Sequence, residues 1–545
     1  MQSTQPEGPP GPWQVERPDG ESVRWEGIWV GPRELTTQEL EEISQRLLGL
    51  PLDAVPAAAE PVLLPSTHDD GTGPGLVIHS ATPLLRNLQG DLEEMTRGLS
   101  VDTATYTETR SVCLARPGDL AVGRSAPWRM AAEYSGIEAI IVPPIEFYYL
   151  SQALIKLMAD SDGQAPQIQR MIAFLRERPQ ATVRLYSLDL ELQIALLYLM
   201  REAGLPRLFT DANSPEVAGY WNTKAPVYPR VTDVSVLTAA SPDELLRAET
   251  EFAPMRKLLG LTYQRLPGYA FSANTPGEML AAAHLLRSRY GITTGCLKPS
   301  KGGGGARIVP GLDLTDEEEL QNHLKAFLGT GELLVLEAQV AYLPLEIGGR
   351  GTKFNPSAHI RHARLADGLT IQLHHKAKWQ GNVYIDQQAC ASIGILEGTY
   401  DTIRRTVEDL RTCLHARALQ LINGGVDFAV GTVGGAFGDR LFVAVQDPNL
   451  SSHGAEYLRR LVDYMETIGG PRYAATKVIK PTLAGDLLTI LNLPHAPLHE
   501  GSRFQVIAAV PGRWGMLAAG AESPHLAVRE VLNFEQDLIA HSLAR

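Results

Sequence analysis

An α/β architecture spread over more than one domain is the fold class this sequence predicts, and three observations predict it. The chain has 545 residues, more than one hydrophobic core usually organises. From residue 76 onward, short apolar runs alternate with longer segments of helical periodicity, the pattern of a parallel sheet covered by helices. Between two short apolar runs stands Lys298-Pro299-Ser300-Lys301-Gly302-Gly303-Gly304-Gly305, in which a strand delivers a lysine to a loop of consecutive glycines. Glycines permit positive φ and close backbone approach, so successive N–H groups can converge on an anion, and a lysine beside them supplies charge for phosphate. By itself such a run reads equally well as a solvated hairpin turn.

Composition narrows the class of partner. A hydrophobic content of 44% with 20% charged residues is that of a soluble globular protein. The formal net charge of -13 excludes a nucleic-acid backbone as a general partner, since that needs a concentrated basic face. Cys113, Cys296, Cys390 and Cys413 lie far apart without a CxxC pair, which argues against a zinc site or disulfide framework and fits a reducing cytoplasm. The apolar run 137–158 is broken by Glu138, Pro143, Pro144, Glu146 and Lys156, so no membrane span is expected. The polar, Pro-rich start lacks the order of a signal peptide, and a cytoplasmic location is expected.

Taken in order, residues 1–75 read as an N-terminal extension and linker. Thr36-Thr37-Gln38-Glu39 is a capping box opening a helix to about residue 48, with Leu35 and Leu40 as its hydrophobic staple; Gly49 and Pro51 stop it. Residues 51–75, rich in Pro, Ala, Asp and Gly, read as the linker proper. Residues 76–235 form the first α/β domain, with strands expected at 76–79, 110–114, 139–142 and 183–186 and helices at 149–158 and 188–203. Gly204 and Pro206 close the last helix. Residues 236–495 contain the glycine run. Thr275-Pro276-Gly277-Glu278 is a capping box for a helix to residue 289, and 306–309 is the returning strand. A second box at 315–318 opens a helix with Leu320, Leu324, Phe327 and Leu328 on one face, and the strand 333–336 runs into Glu337. A helix over 401–422 precedes the strand 426–430, which carries Asp427. Residues 496–545 read as a hairpin and closing helix.

Two acids on successive strands suggest a metal site. Alternation puts Asp447 and Asn449 on one face, and pairing with the Asp427 strand would bring three oxygen ligands together. Such hard donors suit magnesium, which prefers a few carboxylates plus nucleotide phosphates. Taken singly, each acid reads more readily as a turn or edge residue. His359 and His362 face opposite sides of a strand and read as solvated or stacking residues; the adjacent His374 and His375 also diverge, so one of them could face a substrate site; His453 reads as a substrate or phosphate contact or a helix-start residue.

In order and spacing these elements resemble the ATP-grasp superfamily of carboxylate–amine ligases. Lys298 with Ser300 and the glycines, Glu337, Asp427, and Asp447-Pro448-Asn449 stand in the superfamily's order, and Asn222-Thr223-Lys224 matches its motif for a first phosphate lysine. The chain looks closest to the pheganomycin-type peptide ligases, which place a pre-ATP-grasp domain before a two-lobed ATP-grasp body. The residues carrying this are 115–120 (Ala-Arg-Pro-Gly-Asp-Leu), Asn355-Pro356-Ser357, 374–384, and a C-terminal hairpin near 512–520 followed by a helix. The resemblance implies an ADP-forming ligase in specialised metabolism that joins a small carboxylate to an amine through an acyl phosphate. It implies ATP and Mg2+, with Lys224 and Lys298 as catalytic residues. Lys224, Lys298, Ser300, Gly302, Gly303, Gly304, Gly305, Glu337 and Glu346 would hold the nucleotide, and Asp427, Asp447 and Asn449 the metal. The chain departs from the family in carrying Asp447 where Glu is usual and Ser451 where Arg is usual; Arg440 or Arg459 could replace that charge in space. A nucleotide-binding protein without catalysis and an ATP-grasp kinase stand as alternatives, and a homodimer is left open.

Overall fold

The computed structural model describes residues 13–16, 22–25, 33–66, 73–80, 103–124, 137–142, 147–234, 241–248, 265–301, 307–375, 378–453, 456–467, 469–480, 483, 504–510 and 514–543. The fold is α/β, and the described residues form one parallel sheet of six strands, antiparallel sheets of four and ten strands, and two two-stranded hairpins. The parallel sheet has six strands in the order Leu63–Pro65, Leu208–Thr210, Thr182–Leu185, Leu76–Ile78, Leu120–Gly123, Glu138–Ile141. Its central strands Leu76–Ile78 and Leu120–Gly123 are buried at every position, as expected of parallel strands covered on both faces. Helices Leu150–Asp160, Pro166–Glu177 and Leu190–Ala203 supply the core around them.

Residues 33–66, part of the stretch read as extension and linker, pack with this same sheet. The Thr36 capping box forms, with Thr36 Oγ1 accepting from Glu39 N and Glu39 Oε2 accepting from Thr36 N, and Gly49 closes the helix Thr37–Leu48 at φ 71°. Beyond it, Val55, Ala59 and Leu63 are buried, and Leu63–Pro65 is the edge strand. The Pro- and Ala-rich composition suggested a linker; the four-residue spacing of those three apolar positions is what turns the segment inward.

The strand expected at 110–114 is instead the last turns of a helix, Thr103–Leu114. A five-residue apolar window fits either element, and the strand proper follows the Pro117-Gly118 turn as Leu120–Gly123. Gly118 has φ 87°, and the buried Asp119 braces the turn by accepting from Gly75 N at 2.7 Å and Arg116 N at 2.6 Å.

The second sheet is four-stranded and antiparallel, ordered Val309–Asp313, Thr294–Pro299, Leu333–Ala338, Gly268–Ser272. The return strand thus begins at Val309 rather than 306. Helices Pro276–Tyr290 and Glu317–Leu324 cover the sheet. Their expected boxes are rearranged: Glu278 accepts from Ser272 N, Thr275 makes no side-chain cap, and Asp316 caps Glu319 N in place of Thr315.

The third sheet has ten strands. Its main order is Ala341–Tyr342, Gly424–Thr432, Pro356–Arg361, Leu369–His375, Lys378–Ile385, Tyr473–Ile479, Trp514–Ala521, Phe504–Val510. Phe442–Asn449 pairs on Gly424–Thr432, and Arg364–Leu365 on Pro356–Arg361. Helix Thr399–His415 buries Ile403, Val407, Leu410 and Leu414 and ends before the expected residue 422, where Ala418 takes φ 61°. Helix Pro524–Leu543 packs on Tyr473–Ile479 and Trp514–Ala521. Among the described residues no helix is long and apolar enough to cross a membrane, and Cys296, Cys390 and Cys413 are buried.

Candidate active site

Lys298 lies on Thr294–Pro299, and Glu337 on the neighbouring antiparallel strand. Register pairs Glu337 with Cys296, which puts Lys298 one diagonal step away on the same face. Both side chains are buried, and Lys298 Nζ contacts Glu337 Oε1 directly. Burial disfavours the Lys298 charge, but Glu337 outweighs it and holds the amine above its ordinary pKa. The second Glu337 oxygen accepts from the Tyr228 hydroxyl, and Gln446 Nε2 approaches the first at 3.4 Å.

Asp427 and Asp447 face each other across Gly424–Thr432 and Phe442–Asn449, in direct register. A register shift at Asp427/Phe428 leaves Gln446 as the extra residue of the Phe442–Asn449 strand, so Gln446 and Asp447 both serve this site. Asn449 Nδ2 donates to Asp427 Oδ2 at 3.0 Å, and Ser357, opposite Asp427 on the other side, donates to Oδ1. His453 Nε2 is 3.5 Å from Asp427 Oδ1. Burial would raise the Asp427 carboxyl, but hydrogen bonds and charge from His453, with Ser357 and Gln372, hold it below its ordinary value. Asp447 goes the other way. Burial pushes it up, Lys224 pulls it back, and the Asp427 charge adds to the rise.

Lys224 reaches this pair from the turn that opens the short helix Ala225–Val227, its Nζ 2.9 Å from Asp447 Oδ2. Ser300 fixes its approach: Ser300 O accepts from Lys224 N at 3.0 Å and Ser300 Oγ from Ala225 N at 2.9 Å. The Ser300 hydroxyl is thereby occupied as a tie between the Lys224 turn and the Lys298 strand. Two lysines and three carboxylates therefore meet where the two antiparallel sheets adjoin.

Other expected residues fall elsewhere. Gly302, Gly303, Gly304 and Gly305 lie outside the described residues. Glu346 is exposed on the separate hairpin of Pro344–Ile347 and Arg350–Lys353. Arg440 pairs with Asp243 and lies over the Phe442 ring. Arg459 contacts the Tyr384 hydroxyl and, at 2.5 Å, Asp463 Oδ1. His359 is buried rather than solvated, with its ring 4.4 Å from that of His453 and Nε2 2.9 Å from Thr370 Oγ1. His374 is half-buried; its pKa is pushed down to about 4 by burial and then by Lys353.

The residues of this site that sequence reasoning passed over are Gln372, Gln446 and Tyr228, together with Ser357, which reads in the sequence as part of a family motif and not as a partner of Asp427. For Gln446 a signal existed, because Pro448 inside a strand marks an edge or a bulge. A magnesium ion fits the donor set. Among the described residues no three His, Cys, Asp or Glu gather as a metal cluster, but two opposed carboxylates and an amide make a hard-oxygen set. The Asp447 carboxyl is raised first by burial and then by the neighbouring Asp427 charge, with Lys224 opposing both.

No protein-family model matches the chain, and no curated protein does. Among solved structures, the ADP complex of N5-carboxyaminoimidazole ribonucleotide synthetase is similar over 88% of this chain and 98% of that one, at 10% identity and a TM-score of 0.45. The biotin carboxylase domain of Hydrogenobacter thermophilus 2-oxoglutarate carboxylase is similar over 79% of this chain and 87% of that one, at 12% identity and a TM-score of 0.44. D-cycloserine synthetase is similar over 62% of this chain and 94% of that one, at 13% identity and a TM-score of 0.33.

Proposed function

We propose that this chain is an ATP-grasp carboxylate–amine ligase of the pheganomycin type, forming a peptide or amide bond with release of ADP and phosphate. The observation that carries the reading is the meeting of two buried lysines with three buried or half-buried acids, each lysine held by an acid. Buried charges are costly unless paired, and both pairings are exchangeable. An incoming triphosphate offers Lys224 and Lys298 stronger anionic partners and frees Asp447 to face a cation.

In the proposed reaction a carboxylate oxygen attacks the γ-phosphorus of ATP, the P–O bond to the β-phosphate breaks, and ADP departs with the electron pair. The amine nitrogen then attacks the acyl carbon, phosphate leaves with the C–O electrons, and the nitrogen loses a proton. Activation is needed because a carboxylate is a poor electrophile. Catalysis is then mainly positioning and charge neutralisation. Lys224 and Lys298 hold the phosphates, Glu337 keeps Lys298 charged, and Ser300 sets the distance between the two lysines. The glycine run, by its composition, would supply backbone N–H groups to the phosphates and limit hydrolysis of the acyl phosphate. Asp427, Asp447 and Asn449 hold magnesium, which screens phosphate charge when bound.

Screening acid–amine pairs for ADP release, with mass detection of product, tests the reading. Release should require both substrates and fall by orders of magnitude in Lys298→Ala with folding intact. Release with an alcohol alone would make the chain a kinase, and tight ATP binding without turnover would make it a nucleotide-binding protein.

A further inference from the structure

The segment that leaves Asn449 is gripped by the parallel-sheet domain. Leu450 N donates to Asn222 Oδ1 at 2.5 Å, and Leu450 O accepts from Asn213 Nδ2 at 2.8 Å. Ser452 N donates to Tyr186 O at 2.7 Å. Arg110, on helix Thr103–Leu114, closes the grip: it donates to Ser452 O at 3.1 Å, Ser452 Oγ at 3.1 Å and His453 O at 2.5 Å. Its side chain is fully buried, with the Tyr106 and Tyr186 rings each 5.3 Å from the guanidinium carbon and Glu456 3.9 Å from Nη2.

We propose that Arg110 is a positioning residue for the Asp427 centre, acting through the 450–453 segment on Asn449 and His453. The proposal rests on the magnesium–nucleotide reading of that centre. Asn449 and His453 are the two groups that reach Asp427 from this segment, one before the gripped residues and one among them. A guanidinium suits the task because its planar fork carries several donors in fixed directions and stays charged when buried. Here it satisfies three oxygens on two successive residues. An ammonium of similar charge cannot hold the same three in that geometry. The chain's Leu450-Ser451-Ser452-His453 has no arginine of its own, and the cation beneath it comes from a residue 342 positions away in sequence. Both terminal nitrogens of Arg110 donate to protein oxygens, so its role is to orient the segment; it is not itself a phosphate contact.

The full-length chain and Arg110→Lys are compared in two ways. Hydrogen–deuterium exchange of the peptide covering 449–453 is read in metal-free protein, and ADP affinity is read with magnesium and with EDTA. In the variant, exchange should rise in that peptide. ADP affinity with magnesium should fall by about 10–100-fold, as loss of outer-shell partners does, while affinity in EDTA stays unchanged. Faster exchange with unaltered magnesium-dependent affinity would reduce Arg110 to a structural tie and overturn the proposal, as would unchanged exchange. Should Arg110→Lys fail to fold, Ser452→Ala removes one of the three acceptors and must shift both readouts in the same directions, or the proposal falls. Absence of magnesium-dependent ADP binding in the unaltered chain would sink the site reading itself; binding there that Arg110→Lys and Ser452→Ala leave intact would sink only the grip.

Discussion

His79, at the end of strand Leu76–Ile78, is 2% exposed, and its Nδ1 has no hydrogen-bond partner. Burial, reinforced by the Arg110 charge, pushes its pKa from 6.5 down to about 3. Above 6.5 the ring is neutral in folded and unfolded chains alike, and stability is unaffected. Below 6.5 the unfolded chain takes up a proton that the folded chain refuses. Stability then falls by about 1.4 kcal/mol for each pH unit until about pH 3. His79→Phe keeps a ring and removes the titration. The loss of stability between pH 7 and pH 5, measured by urea unfolding, should shrink by about 2 kcal/mol in that variant. Equal losses in both proteins would refute the assignment. Gly425 makes a second residue-scale prediction. A Cβ there would lie 2.3 Å from the His453 ring, so the glycine is what lets the ring lie beside Asp427. Gly425→Ala should cost about 1–3 kcal/mol by overpacking, and much less in a His453→Ala background. A cost that is the same in both backgrounds would show that the alanine is resisted by something else.

Among elements, the strand pair carrying Lys298 and Glu337 shows which features can be read in advance. Lysine, glycine run and later acid were visible as an order along the chain. Their meeting on one face depends on the register Cys296 with Glu337, which no local pattern encodes. Asp427 and Asp447 behave likewise: alternation places each on a face, but the register shift that brings Gln446 in beside Asp447 comes from pairing. Helix boundaries were legible where a box is self-contained, as at Thr36, and were displaced where a neighbouring strand competes, as Ser272 does for Glu278. Arg307 is the first described residue after the glycine run. Arg307 has φ 57° and forms a paired set of hydrogen bonds with Glu332, Nη1 at 2.8 Å and Nη2 at 2.9 Å. This two-point pair ties the end of the run to the edge of the sheet that bears Lys298. Arg307→Ala should raise the KM for ATP by about tenfold, the equivalent of about 1.4 kcal/mol, and change kcat less. Steady-state kinetics at varied ATP would decide it, and a fall in kcat at unchanged KM would contradict the anchoring role.

At the scale of the whole molecule, the parallel-sheet domain is both a foundation and a part of the site. Tyr186 follows its strand Thr182–Leu185, Arg110 lies on the helix Thr103–Leu114 before Leu120–Gly123, and Asn222 and Lys224 lie in the chain that leaves Leu208–Thr210; each bears on residues after 446. None of these long-range contacts was legible, because each joins positions more than two hundred residues apart and depends on how sheets stack. The same reason hid the place of residues 33–66, whose composition resembled a linker while their spaced apolar side chains completed a core. Leu47, Val55 and Leu63 belong to the cluster that also buries Leu192 and Leu196 of helix Leu190–Ala203, and Leu63–Pro65 covers the edge of strand Leu208–Thr210. A chain begun at Gly73 would expose that helix face and leave a parallel edge strand unpaired, both of which favour association. It should therefore lose its cooperative thermal transition, bind a hydrophobic dye and aggregate on purification. Asn213 donates to the carbonyl oxygens of Asn423 and Leu450, so loosening this domain should also weaken the Asp427 centre. A shortened chain that melts with an unchanged midpoint and still binds ADP with magnesium would show that residues 33–66 are an appendage after all.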